Sequence, residues 1–370
     1  MTDSPESCLR DMLRLMLIPR VGPVTLARLL KVMGGPGEVV RAGYEKLKRL
    51  TWLSNDVLDV ICARRWNEGG VENQLERIKA SDTKPLFIWQ NEYPAYLAQI
   101  YDPPPMLFVR GNIESLNLPC FAIVGTRGPS LYGRQMASSL ASGLSAAGFT
   151  VVSGLARGID SIAHSEALDA GGSTLAVLGC GTDVIYPPEN AGLAEKIIET
   201  RGALVSEYLM GTRPEGQNFP RRNRLISGLS RGVLVVEGSA KSGALITAAY
   251  AADQNREVFA LPGDVTRKLS HGANRLIQQG AKLVLSAGDI LSEFGAWATG
   301  PAGEEPEGRP APSLSREERV VFDCLSNAPV HVDELAGKLG MDISAILAIL
   351  LRLEVKQLIR EHPGKLYSLG

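Results

Sequence analysis

Phe121-Ala122-Ile123-Val124-Gly125-Thr126-Arg127 is the stretch on which the fold turns, and Thr150-Val151-Val152-Ser153-Gly154 repeats its grammar. Each is a short apolar run with β-branched members that breaks at a glycine. A helical pattern follows the first from about Gly133 to Ala147, and Arg157-Gly158-Ile159-Asp160 opens a second helix after the other. Strand, glycine turn, helix, strand is the alternation of a parallel α/β sheet. In such sheets ligands bind beyond the carboxyl ends of the strands, where backbone N–H groups and helix N-termini attract anions. Both turns also carry an arginine, Arg127 and Arg157, so positive charge falls where the fold would hold an anion.

Outward from this unit the alternation is sustained to about Phe294. Strands are predicted at Leu175-Ala176-Val177-Leu178, Ala203-Leu204-Val205, Val233-Leu234-Val235-Val236, Val258-Phe259-Ala260-Leu261 and Lys282-Leu283-Val284-Leu285, all separated by helical segments. Seven strands joined by helices predict an α/β fold, a Rossmann-like, doubly wound and mostly parallel sheet with right-handed crossovers. Residues 1–80 read as a small all-α domain. Leu9, Met12, Leu13, Met16 and Leu17 recur at helical spacing, and a glycine hairpin at Ile18-Pro19-Arg20-Val21-Gly22-Pro23 resembles a helix-hairpin-helix, a pattern that ordinary helix packing also gives. The Rossmann-like domain is expected over 81–298. It is entered through Pro85, Pro94 and Pro103-Pro104-Pro105, a stiffened approach with one strand at Leu107-Phe108-Val109. Residues 299–313, rich in Gly, Pro and Glu, read as a linker. Three short helices and a hairpin in 314–370 predict a winged helix.

Composition narrows the function. A formal net charge of −1 over 370 residues supplies no global field toward nucleic acid or membrane, so polyanion binding requires a local patch. Cys8, Cys62, Cys120, Cys180 and Cys324 have no CxxC spacing, which argues against a zinc site or a disulfide framework and for a reducing compartment. With no apolar run of membrane-spanning length and no signal-like start, a cytoplasmic protein without a membrane partner is expected.

A dinucleotide site is disfavoured. Arg127 stands where pyrophosphate must approach, and the second strand ends in Ser153-Gly154 without a carboxylate for a ribose. No cofactor is expected. Asp160 and His164, four apart, form a candidate acid–base or metal pair with no third ligand; the bland alternative is a helix-stabilising contact. Glu237 either serves a site or caps its turn. No nucleophile, base and oxyanion donor come together, so no catalytic residue and no metal is assigned. The cations are more informative. Arg127, Arg157, the run Phe219-Pro220-Arg221-Arg222-Asn223-Arg224 and Lys241 follow successive strands, and topology sends those turns to one edge of the sheet. Residues 121–295 hold 16 Lys and Arg against 15 Asp and Glu, so their sorting carries the signal, not their number. Arginine forks suit phosphate oxygens, and Phe219 offers a stacking face for an unpaired base.

These residues resemble the DprA/Smf (DNA-processing protein A) family. The resemblance is carried by Ala122 to Arg127, Ser153 to Asp160 with Ala163-His164, Ala176-Val177-Leu178-Gly179-Cys180-Gly181 with Tyr186-Pro187 and Asn190, Phe219 to Ser227, Ser242 to Ala248, and Phe259-Ala260-Leu261-Pro262-Gly263. It covers about Tyr93 to Phe294. It implies a homodimer that binds single-stranded DNA, protects it during natural transformation and loads RecA recombinase, with no reaction of its own. It also implies that Arg127, Arg157, Arg222, Arg224 and Lys241 line the DNA pocket. Gly125, Thr126, Ser153, Gly154, Gly158, Phe219, Arg221, Asn223, Ser242 and Gly243 complete the candidate site. The alternative is a nucleotide-binding or nucleotide-hydrolysing enzyme. A related Rossmann-like family that cleaves nucleotide ribosides carries PGGxGTxxE, and Tyr250 stands where its glutamate would be. In the winged helix, Ile343 to Leu351 offers only Ser344 as a polar residue, and 316–370 has 7 bases against 8 acids, so core packing or a protein contact is expected there rather than base readout.

Overall fold

The structure, a computed structural model, describes residues 4–294, 315–325, 330–355, 359–362 and 365–369. The chain divides into two compact units, residues 1–300 and 301–370. The linker expected at 299–313 lies outside the described residues.

The first unit opens with six helices: α1 (Pro5–Met16), α2 (Pro23–Met33), α3 (Pro36–Val40), α4 (Tyr44–Lys48), α5 (Asn55–Cys62) and α6 (Glu68–Ala80). Pro occupies the first turn of α1, α2 and α3, where its missing N–H costs nothing. The Ser4 side chain accepts from the Ser7 amide and caps α1. The chain then alternates as β1 (Thr83–Phe87), α7 (Ala95–Ala98), β2 (Met106–Gly111), β3 (Cys120–Val124), α8 (Leu131–Ala146), β4 (Thr150–Ser153), α9 (Ile159–Asp169) and β5 (Thr174–Val177). It continues as α10 (Ala191–Glu199), β6 (Ala203–Ser206), α11 (Asn218–Leu229), β7 (Gly232–Val235), α12 (Gly243–Asp253), β8 (Glu257–Ala260), α13 (His271–Gln278), β9 (Lys282–Leu283) and α14 (Ala287–Phe294).

The sheet order is β1-β2-β6-β5-β4-β3-β7-β8-β9. The seven strands from β3 to β9 are parallel, as expected, while β2 runs antiparallel to β6 and β1 antiparallel to β2. The approach segment thus supplies two strands rather than one. Pro85 obscured the first, and it is tolerated because β1 is an edge strand. Strands β3, β4 and β5 are buried at every position because helices cover both faces.

The chain winds from β3 leftward to β6 with α8, α9 and α10 on one face. From β6 it crosses over β5, β4 and β3 on the other face through α11, then proceeds through β7, α12, β8 and α13. β3 and β7 are neighbours in register (Val124 opposite Val235), and their following helices leave to opposite faces. The order of winding therefore reverses between them. The N-terminal helices bury their apolar sides on a core shared with Phe87, Met106 and Phe108 of β1 and β2.

In the second unit, α15 (Arg316–Asp323), α16 (Val332–Leu339) and α17 (Ile343–Val355) pack with a three-stranded sheet of β10 (Val330–His331), β12 (Leu366–Leu369) and β11 (Ile359–His362), in that order. Three helices and a small antiparallel sheet make the expected winged helix. Ile346, Ile349, Leu350 and Leu353 are buried, so one face of α17 serves the core, while Ile343 and Leu351 are exposed.

Phe121 sits at the centre of the α8 face, fully buried, with its ring 5.5 Å from Phe259 and 6.1 Å from both Phe149 and Phe294. Phe121→Ala should lower the unfolding free energy by about 3–5 kcal/mol, read from a urea titration; a loss under about 1 kcal/mol would mean that this core repacks freely.

Candidate functional site

Diverging helices leave a hollow at the point where winding reverses, and ligands of doubly wound sheets bind there. The hollow is a cleft of about 640 Å³. One wall is the turn after β3, Gly125-Thr126-Arg127; another is the start of α12, Ser242-Gly243-Ala244; Phe219, Pro220, Arg222 and Asn223 of α11 close it from the second face. These segments are far apart in sequence. Glu237, two residues beyond β7, ties that strand's exit to the loop before α8: its carboxylate accepts from the Ser130 amide at 2.9 Å and from Ser130 Oγ at 2.6 Å. The Ser130 hydroxyl in turn accepts from Gly133 and caps α8. Glu237 is therefore a strut between turns, and neither of the two roles weighed from sequence describes it.

Gly125 and Gly158 are there for close approach. A Cβ on Gly125 would lie 2.6 Å from Ile159, and one on Gly158, at φ +78°, would lie 2.5 Å from the Thr126 carbonyl. The Ile159 amide donates to that same carbonyl at 3.2 Å, so the turns after β3 and β4 are pinned together.

Asp160 and His164 are engaged within the fold, chiefly by backbone amides. The Asp160 carboxylate accepts from the amides of Gly154 at 3.1 Å and Ala156 at 3.3 Å, and His164 Nε2 accepts from the Leu155 amide at 3.3 Å. His164 Nδ1 lies 2.6 Å from Thr174 Oγ1, whose own proton goes to the Val151 carbonyl; the ring nitrogen is therefore the donor there, and the imidazole is neutral. Burial, with Arg222 nearby, pushes the imidazole pKa down to about 3. Burial also raises the Asp160 pKa, opposed by Arg222 and the backbone donors. The pair is a clamp on a turn whose Leu155 is held at φ +56°, and not an acid–base or metal pair. Asn190 completes it by donating to the Leu155 carbonyl and to Ser161 Oγ. Among the described residues no group of three His, Cys, Asp or Glu is placed to hold a metal.

That clamp corrects one expectation. Three consecutive amides after β4 are occupied, and Ser153 Oγ is buried and donates to the Ile123 carbonyl, so Ser153 and Gly154 offer no donors to a ligand. Gly154 instead leaves space for a guanidinium, since a Cβ there would meet Arg222 Nη1 at 2.0 Å.

The cations separate into three kinds. Arg127 and Lys241 are exposed at the rim, and among the described residues neither is paired with a carboxylate. The Arg127 guanidinium lies 5.8 Å from the centre of the Phe219 ring, within cation–π range. Lys241 precedes Ser242, the N-cap of α12, and stands outside the cleft wall proper. Arg157 is exposed but paired with Glu189; with Arg127, Tyr186 and Phe219 it borders a smaller recess. Arg221 is also exposed, on the outer side of α11.

Arg222 and Arg224 are both buried; of these two, which the family resemblance implies line the DNA pocket, only Arg222 borders the cleft. Arg222 lies under the cleft floor, where Nη1 donates to the Val177 carbonyl and the guanidinium is 5.9 Å from the Phe219 ring centre. Arg224 faces away from the cleft. It binds Glu207 and Asp102, the latter at 3.1 Å, and is a structural ion pair. An α-helix explains the split: residues two apart point to different sides, so one four-residue run feeds the surface, the floor and the core.

Gly125, Thr126, Arg127, Phe219, Arg222, Asn223, Ser242 and Gly243 are thus brought together in the cleft, while Ser153, Gly158, Arg221, Arg224 and Lys241 do not line it. Pro214 and Gly216, from the segment after β6, also line it, and nothing in their residue types signals a site; Ile246 and Thr247 of α12, which the sequence offers only as members of the Ser242 to Ala248 motif, line it too. Tyr186 was in view only as part of a motif; its ring sits 5.6 Å from that of Phe219 and extends the aromatic surface.

A doubly wound sheet with a basic, aromatic-lined cleft at its switch point, followed by a winged helix, defines a class of α/β proteins whose candidate site is assembled from turns. Residues 84–295 match the family model described as DNA recombination-mediator protein A, and 305–365 match the DprA winged helix domain. Protein Smf of Synechocystis is 34% identical over 94% of this chain and 95% of its own. The solved DNA processing protein A of Streptococcus pneumoniae is 35% identical, with a TM-score of 0.67 over 76% of this chain and 95% of that one. DNA processing protein A of Helicobacter pylori, whose structure describes a single-stranded DNA binding mode, is 31% identical, with a TM-score of 0.52 over 57% and 95%. The chain belongs to the DprA/Smf family of DNA recombination mediators.

The buried His164 makes stability depend on pH. Its folded pKa of about 3 lies below the ordinary histidine value, so between about pH 6.5 and 3 the unfolded chain binds the extra proton. Its contribution is full above about pH 6.5 and is lost as pH falls, by up to about 1.4 kcal/mol per pH unit. Denaturant unfolding of His164→Gln at pH 7 and pH 5 should show a flatter pH response than the parent; identical slopes would mean that the ring is not held neutral.

Proposed function

We propose that this protein binds single-stranded DNA across the β3–β7 cleft and acts as a recombination mediator, protecting incoming strands and loading RecA recombinase during natural transformation, as a homodimer. The observation that carries the reading is the exposed Arg127 over the Phe219 ring, beside the N-terminus of α12 and above the buried Arg222. An unpaired base finds an aromatic face there, and its phosphates find a guanidinium and a helix N-terminus. Nothing in this set distinguishes one base from another by hydrogen-bond pattern, so the binding is sequence-tolerant. A duplex hides its bases from Phe219 and so forfeits the stacking.

The single-stranded DNA binding mode of the Helicobacter pylori relative supports the choice of ligand, and the family's description supports a role in recombination. RecA loading, protection of incoming strands and dimer assembly follow from the family resemblance. No helix among the described residues is long and apolar enough to cross a membrane. The nucleotide-hydrolysing alternative requires an acid at Tyr250, and Tyr250 lies outside the cleft lining.

The full chain should bind a single-stranded oligonucleotide more tightly than a duplex of the same length, with affinity falling as salt rises. Arg127→Ala should weaken single-strand binding roughly tenfold in a fluorescence-anisotropy titration. Unchanged binding by this variant, or a preference for duplex, would refute the cleft reading; release of free base from nucleoside monophosphates would favour the enzyme.

A further inference from the structure

The carboxyl rim of the sheet continues beyond the cleft. The segment after β6 emerges there; β2 begins there, because it runs antiparallel to β6 with Phe108 opposite Ser206; β1 ends there, because Phe87 lies opposite Met106. From β3 to β1 the rim crosses β4, β5, β6 and β2. At about 4.8 Å per strand step this is about 24 Å. Two further hollows lie along it. A small one, of about 200 Å³, separates the Gly22-Pro23 hairpin from Tyr208 and Thr212. A larger one, of about 690 Å³, lies between α2 and the 88–105 segment, and the two share Pro23 and Pro105.

The larger hollow holds aromatic residues that the fold does not bury. Trp89 is 49% exposed although its indole lies flat on the Phe87 ring, with centroids 5.0 Å apart and 1° between planes. Tyr101 is fully exposed. The charged side chains lining the hollow are Arg28, Lys31 and Asp102. Asp102 is already engaged by Arg224, so the charge left for a ligand is positive. Arg221 is exposed on α11 and near Glu207, whose pKa burial raises and the neighbouring Arg224 and Arg221 pull back down. A rigidly backed indole and an exposed phenol ring beside cations make a stacking platform for unpaired bases. Their charge suits a polyanion, and they share a rim with the cleft.

We infer that a single strand crossing the cleft continues along the rim toward α2 and stacks bases on Trp89 and Tyr101. The N-terminal helices then extend the DNA site. This inference rests on the cleft being a DNA site, and the test separates the two. Oligothymidylates of about 4 and about 16 nucleotides, the two ends of the usual site sizes for stacking binders, are titrated against the full chain. The parent should bind the longer one more tightly. The double variant Trp89→Ala/Tyr101→Ala should lose roughly five- to tenfold on the longer oligonucleotide and nothing on the shorter. Tyr101→Ala alone, a change at a fully exposed side chain that leaves the fold intact, should show part of that loss. If both variants bind the longer oligonucleotide as the parent does while Arg127→Ala weakens both lengths, the platform is refuted, the cleft stands, and the hollow is left to a protein partner. If Arg127→Ala changes neither, the cleft reading fails and this one falls with it.

Discussion

Two neighbouring parallel strands, β3 and β7, send their helices to opposite faces of one sheet, and no side chain from either helix can fill the gap this opens. The candidate site depends on that gap. A parallel sheet whose winding reverses must leave a crevice at its carboxyl rim, and the ends of buried strands put backbone and helix N-termini at its edge. This chain fills the rim with arginine and aromatic side chains. The crevice is a consequence of topology, and its chemistry is a consequence of which residues occupy the turns.

Holding those turns still requires buried polar structure. Glu237 ties the end of β7 to the loop before α8, Asp160 and His164 occupy three amides after β4, and Gly125 and Gly158 let two turns touch. The amides lost to the clamp are ones that a sheet of this type would otherwise offer to a ligand. In exchange the turn is fixed, and Gly154 admits the Arg222 guanidinium beneath the floor. The buried Arg222 guanidinium there faces the Asp160 carboxylate as well as the Phe219 ring, so its charge is partly offset within the floor. Preorganisation of this kind reduces what the ligand must order on binding.

The sheet was legible because its strands are buried on both faces and read as unbroken apolar runs between helical periods; all seven parallel strands lie where those runs lie. The two antiparallel strands at the edge were less so. Pro85 reads as a breaker unless the strand is known to be an edge, and only pairing shows that. The position of the basic turns on one rim followed from topology alone, whereas the fate of each base did not. Arg221, Arg222 and Arg224 sit in one run with one residue type, yet helix geometry separates them into surface, floor and ion pair. The acid partners are distant in sequence: Glu189 for Arg157, Glu207 and Asp102 for Arg224. Asp160 and His164 had the spacing of a catalytic pair, and only their neighbours' backbone amides show a clamp.

The account comes down to where a strand touches the protein. Ultraviolet crosslinking of an oligothymidylate to the full chain, with the modified peptide located by mass spectrometry, reads that contact without any substitution. The account predicts adducts on peptides carrying Phe219 and Tyr186, the aromatic pair at the cleft. Adducts confined to the winged helix, with none between residues 121 and 250, would contradict it.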